Sequence, residues 1–107
     1  MATQKSAIKN IKKFADEINL TDIHLRKVIL FGSYAKNTQN KWSDIDVALI
    51  ADEFSGIGFY DTGLFSKILI KYPHLNIQPH TYNTKDFLPA KDPVVAEILK
   101  TGIEITP

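Results

Sequence analysis

The sequence predicts an α/β (α+β) fold, a small β-sheet with helices packed on it, as one domain over residues 1–107. Three observations predict it. Short β-branched and aromatic runs alternate with segments whose apolar residues recur every three or four positions. Turn-forming residues stand where the period changes. The 107 residues are 44% hydrophobic and 23% charged, enough to bury a core without covalent staples.

Ala7, Ile8, Ile11, Phe14, Ala15 and Ile18 make one apolar stripe and predict a helix over about residues 3–19. Lys5, Lys9, Lys12 and Lys13 mostly fall off that stripe and read as a solvated face. Thr21 and Asp22 mark a turn before a short strand at 27–31, which Gly32 and Ser33 end. Residues 34–43 are polar, with one helical turn at their start, and 44–50 form a second strand. Residues 51–59, with Gly56 and Gly58, read as a flexible loop. A helix is expected over about 61–72, carrying Leu64, Phe65, Ile68 and Leu69 and stopped by Pro73. Residues 75–82 predict a third strand, with Pro79 implying an edge position or a bulge. Asp92 and Pro93 open a helix through Lys100, Gly102 caps it, and 103–105 add a last short strand.

The composition also excludes. With no cysteine there is no disulfide, thiolate metal site or cysteine nucleophile. No apolar run approaches the length of a membrane span, and the first residues lack a secretory signal, so a cytoplasmic protein is expected. Thirteen Lys+Arg against twelve Asp+Glu argue against dedicated duplex-DNA binding. Arg26 is the one arginine, so bidentate phosphate clamps are nearly absent.

Chemistry concentrates at Asp44 and Asp46. Aspartate is depleted in strands, yet two occupy alternate positions among Ile, Val, Ala and Leu. Strand geometry puts both carboxylates on one face and Ile45, Val47 and Leu49 on the other. Two such anions repel unless a cation lies between them, and hard oxygens at that spacing suit Mg²⁺ or Mn²⁺. The competing reading is a solvated strand end capping the turn after Ser43. Gly32-Ser33 after a strand offers backbone N–H groups and a hydroxyl to an anion, a weak signal alone. The chain has no P-loop motif, and Gly56-x-Gly58 lacks the third glycine of a dinucleotide fingerprint.

Taken together, LFGSYAKNTQNKWSDIDVAL resembles the signature of the DNA polymerase beta-like nucleotidyltransferases, most of all the minimal nucleotidyltransferase group. Gly32-Ser33 and Asp44-Ile45-Asp46-Val47 match the motif, with ten residues, 34–43, between its halves. Lys36 stands for the usual arginine. Asn37 stands for a glycine whose left-handed conformation asparagine tolerates well.

The resemblance implies a nucleotidyltransferase fold with a small mixed sheet. It implies transfer of a nucleoside monophosphate, AMP from ATP, to an acceptor hydroxyl with Mg²⁺. Gly32, Ser33, Lys36 and Ser43 would bind the nucleotide, and Asp44 and Asp46 the metal. A third carboxylate is expected on a neighbouring strand, where the best-aligned residue, Gln78, is neutral and cannot act as a base. His80, two residues on, would share that face, and is read first as a surface residue; Asp52, Glu53 and Asp61 are further candidates. Such chains are often antitoxins that modify an all-helical HEPN partner, and a homo-oligomer is a further expectation. The alternative is a degenerate, non-catalytic fold that binds nucleotide or a partner. Tyr34 is read as either a phosphate or ribose contact or a packing residue, and Trp42 as either a base-stacking or a turn-packing residue. His24 and His74 read as surface residues.

Overall fold

The computed structural model describes residues 3–73 and 75–105, so His74 lies outside the described residues. Four strands form one sheet in the order β3-β2-β1-β4: β1 (Leu25–Phe31), β2 (Ile45–Ala51), β3 (Ile77–Asn83) and β4 (Ile103–Ile105). β1 runs antiparallel to both β2 and β4, and β2 parallel to β3, so the sheet is mixed. Among the described residues no helix is long and apolar enough to cross a membrane.

α1 (Gln4–Asn19) is opened by a reciprocal cap, in which Thr3 Oγ1 accepts from the Ser6 N–H and Ser6 Oγ from the Thr3 N–H. Its stripe, Ala7, Ile11, Phe14, Ala15 and Ile18, is buried against the sheet face carrying Val28, Leu30, Ile45, Val47 and Leu49. The opposite face is closed by α5 (Pro93–Thr101). There Val95 and Ile98 bury with Phe87 against Ile29, Ala48 and Ile50. Asp92 Oδ1 caps α5 by accepting from the Val94 N–H, as expected. Gly102 closes it, and the reason is space. A Cβ there would stand 2.4 Å from the Ile98 carbonyl oxygen and 2.5 Å from Ile29 Cγ2.

β3 is an edge strand, which accounts for Pro79. The Ile45 N–H donates to the Asn76 oxygen. In a parallel pair alternate residues then turn their backbone groups to β2, namely 78, 80 and 82, while 77, 79 and 81 turn outward. Pro79 therefore costs the ladder no bond.

The helix expected over 61–72 is instead two short ones, α3 (Gly58–Gly63) and α4 (Ser66–Leu69). Between them Phe65, at φ −135° and ψ 17°, drops its ring into the core edge-on to Phe14 and Phe54, each at 5.9 Å. Asp61 and Phe65 are both buried, and Leu64 between them is exposed. The expected loop accordingly ends at Ile57, and Gly58 already begins α3.

Candidate active site

β1 ends at Phe31, whose register partner on β2 is Asp46. The chain then turns through Gly32, at φ +75°, into the single turn α2 (Ser33–Lys36). A Cβ on residue 32 would lie 2.6 Å from Asp46 Oδ2, so glycine is required by both the backbone angle and the carboxylate beside it. The first α-helical bond of α2 runs from the Lys36 N–H to the Gly32 oxygen. The N–H groups of Ser33, Tyr34 and Ala35 precede it and have no intrahelical acceptor. Asn37 ends α2 in the left-handed region at φ 58°, as the sequence reading expects.

Asp46 is half-buried, the second residue of β2, while Asp44 is exposed and stands just before that strand. The pair is thus a strand entry rather than two rungs of one strand, a shift of one residue from the expected boundary. Ser43 Oγ accepts from the Asn40 N–H at 2.9 Å and closes the turn that delivers Asp44. Trp42, on that turn, is 78% exposed, with Lys41 Nζ 5.0 Å above its ring. It packs against no core. Lys36 is exposed and reaches Glu97 of α5 at 3.8 Å.

The neighbouring strand brings a residue the sequence reading set aside. Gln78 is the register partner of Asp46 and is exposed. His80, two residues on, directs Nε2 to Asp46 Oδ1 at 3.2 Å. Its ring stands edge-on to Phe31, with centroids 5.0 Å apart. His80 is exposed, as the surface reading expects, and strand alternation carries it to the Asp46 face, where the carboxylate is within reach.

The other carboxylates named from sequence do not come to this site. Asp52 pairs with Arg26 at 2.8 Å, and the Glu53 carboxylate accepts from the His24 N–H at 3.0 Å, both beyond the opposite end of β2. Asp61 is 2% exposed and packs under the other sheet face. Its carboxylate accepts from Thr81 Oγ1 (2.7 Å), from the Ser55 N–H and hydroxyl (2.8 and 2.9 Å) and from the Gly56 N–H (2.9 Å). Burial pushes this carboxyl up, but the donors from Thr81, Ser55 and Gly56 outweigh it and hold it below its ordinary value. Of the two readings of Tyr34 the structure shows the packed one: it is a core residue at 4% exposure.

Among the described residues no three His, Cys, Asp or Glu side chains converge to hold a metal by themselves. Two carboxylates at one strand entry, beside a glycine turn, fit a hard cation that keeps its waters and takes further oxygens from a bound phosphate chain.

Residues 8–103 match the nucleotidyltransferase domain family. A protein of Methanocaldococcus jannaschii, by name a protein adenylyltransferase, is 41% identical over 49 residues, a stretch that spans 45% of this chain and 45% of that protein. A crystal structure of a mutant of the toxin–antitoxin MntA–HpeT superposes with a TM-score of 0.58 at 22% identity. That superposition covers 92% of this chain and 72% of the other, and it shows the shared fold. The family match takes in Gly32, Ser33, Asp44, Asp46 and all of β3, and on it the chain belongs to the nucleotidyltransferase domain family.

Proposed function

We propose that this chain transfers a nucleoside monophosphate, AMP from ATP, to a hydroxyl on a partner protein, with Mg²⁺ or Mn²⁺ held by Asp44 and Asp46. One observation carries the reading: the glycine turn lies beside the carboxylate, so close that a Cβ on residue 32 would stand 2.6 Å from Asp46 Oδ2. A phosphate seated on the turn is then adjacent to the acidic pair. Gly32 leaves the space, and Ser33 and the free N–H groups of α2 supply donors. Lys36 and Ser43 flank the nucleotide. The divalent cation, when bound, supplies electrostatic stabilisation of charge developing on the phosphates. In the transfer, the acceptor oxygen bonds to the α-phosphorus and the α–β bridging P–O bond breaks. Pyrophosphate leaves with that electron pair, and the hydroxyl proton is released. An all-helical HEPN-type protein encoded beside this chain is the partner that an antitoxin role calls for.

A second reading is favoured by Gln78. A neutral side chain in register with Asp46 leaves the site one anion short, as in a non-catalytic module that binds nucleotide or partner. Incubation with α-labelled ATP, Mg²⁺ and the product of the adjacent gene separates the two. Label on that protein, lost in the Asp44→Asn/Asp46→Asn variant, supports transfer. Tight ATP–Mg²⁺ binding without transfer supports the module. A double variant that binds ATP–Mg²⁺ as well as wild type overturns the site itself.

A further inference from the structure

A cleft of about 260 Å³ opens along the outer side of β3, lined by Gly56, Gly58, Pro79, His80, Thr81 and Tyr82. We propose that it seats an extended peptide segment of the acceptor protein, delivering its hydroxyl past His80 to the Asp46 side. The proposal rests on the transferase reading above and deepens it.

Four features support this occupant. His80 lines the cleft and its Nε2 stands 3.2 Å from Asp46 Oδ1, so the cleft borders the site. The cleft follows a sheet edge. The Thr81 N–H and the Pro79 and Thr81 carbonyls point outward there, toward where an added strand would bond. The facing wall carries no side chain at Gly56 or Gly58, and Cβ atoms at either would meet nothing within 4 Å, leaving room for a main chain to approach. The wall is also fixed in place. The buried Asp61 carboxylate ties Ser55 and Gly56 on one side to Thr81 on the other, so the cleft is formed before anything enters it.

The segment after Gly58 adds exposed aromatics. Phe59 and Tyr60 directly follow Gly58 and are 87% and 66% exposed, their rings set edge-to-face at 5.6 Å. Exposed, mutually braced aromatics are the side chains that dominate peptide contacts. None of the six lining residues is lysine or arginine, so a nucleic-acid backbone would find no counter-charge. None is a carboxylate, as an aminosugar acceptor would need.

The test is amide chemical-shift mapping of the intact chain with ATP–Mg²⁺, using three probes: a blocked nonapeptide mixture centred on Ser, Thr or Tyr, an oligouridylate, and kanamycin. The expected result is peptide-induced shifts at Gly56, Gly58, Thr81 and Tyr82, weakened at least tenfold in apparent affinity by Gly58→Arg. That variant introduces no backbone strain, since Gly58 has no positive φ. Phe59→Ser/Tyr60→Ser should weaken the peptide similarly without filling the cleft. Peptide shifts elsewhere, shifts in the cleft from either other probe alone, or no shifts at all would overturn the proposal. ATP–Mg²⁺ affinity measured on the same samples keeps the two readings apart. Nucleotide bound with an idle cleft refutes the cleft, whereas no nucleotide binding refutes the transferase reading.

Discussion

Gly32 leaves open the space beside the Asp46 carboxylate across the turn that follows β1, and a methyl group on residue 32 would stand 2.6 Å from Asp46 Oδ2. Gly32→Ala therefore carries two penalties, a positive φ of 75° and a displaced carboxylate. The backbone alone costs about 1–3 kcal/mol. Urea denaturation should show at least that loss, and ATP–Mg²⁺ titration should show a loss of affinity beyond what the remaining folded fraction explains. Unchanged affinity would separate the turn from the nucleotide.

Asp61→Asn should be destabilising by roughly 2–4 kcal/mol, because a buried acceptor of four donors becomes a neutral amide that itself needs acceptors. The pH dependence has a definite sign. The folded carboxyl sits below its unfolded value, so its contribution is complete above that value, near 4, and fades as pH falls through the folded one. Stability of the wild type should drop on acidification below about pH 4, and Asp61→Asn should flatten that limb. Denaturation midpoints between pH 2 and 6 test it.

Tyr72 donates to Glu17 Oε2, and burial together with that carboxylate pushes its phenol up to about 12. Between the ordinary value of about 10 and this one the unfolded chain binds fewer protons, so stability falls as pH rises through that window. Tyr72→Phe should remove this alkaline loss. Absorbance titration should show one tyrosine ionising about two units late, and its absence would contradict the contact.

Gln78→Glu places an anion beside Asp46 without much change in volume. If transfer in the natural chain is slow, the variant should accelerate it at least tenfold, a barrier change of about 1.4 kcal/mol. Single-turnover rates with the same acceptor measure it. A fast natural enzyme indifferent to Gln78→Glu would place the work on another residue, with His80 first.

Much of this molecule was legible because it depends on local rules. The stripe from Ala7 to Ile18, the Asp92 cap, the left-handed Asn37 and the edge placement of Pro79 follow from period, hydrogen-bonding capacity and ring chemistry. What escaped depends on contacts distant in sequence. Phe65 breaks a helix that its own neighbourhood favours, because Phe14 and Phe54 offer its ring a place. Tyr34 joins the core cluster that holds the buried residues of α1, and the 34–43 segment alone does not decide between that packing and a ligand contact. Strand alternation put His80 on the Asp46 face, and only the register of β2 against β3 shows that its ring reaches the carboxylate.

The chain holds a single tryptophan, and the turn before Asp44 displays it to water. Its indole is solvated in the native state as it would be after unfolding, so its emission is a poor gauge of whether the fold persists. The same placement, two residues from Asp44, makes that emission an intrinsic optical reporter for anything that docks at the acidic pair, with no dye or label attached.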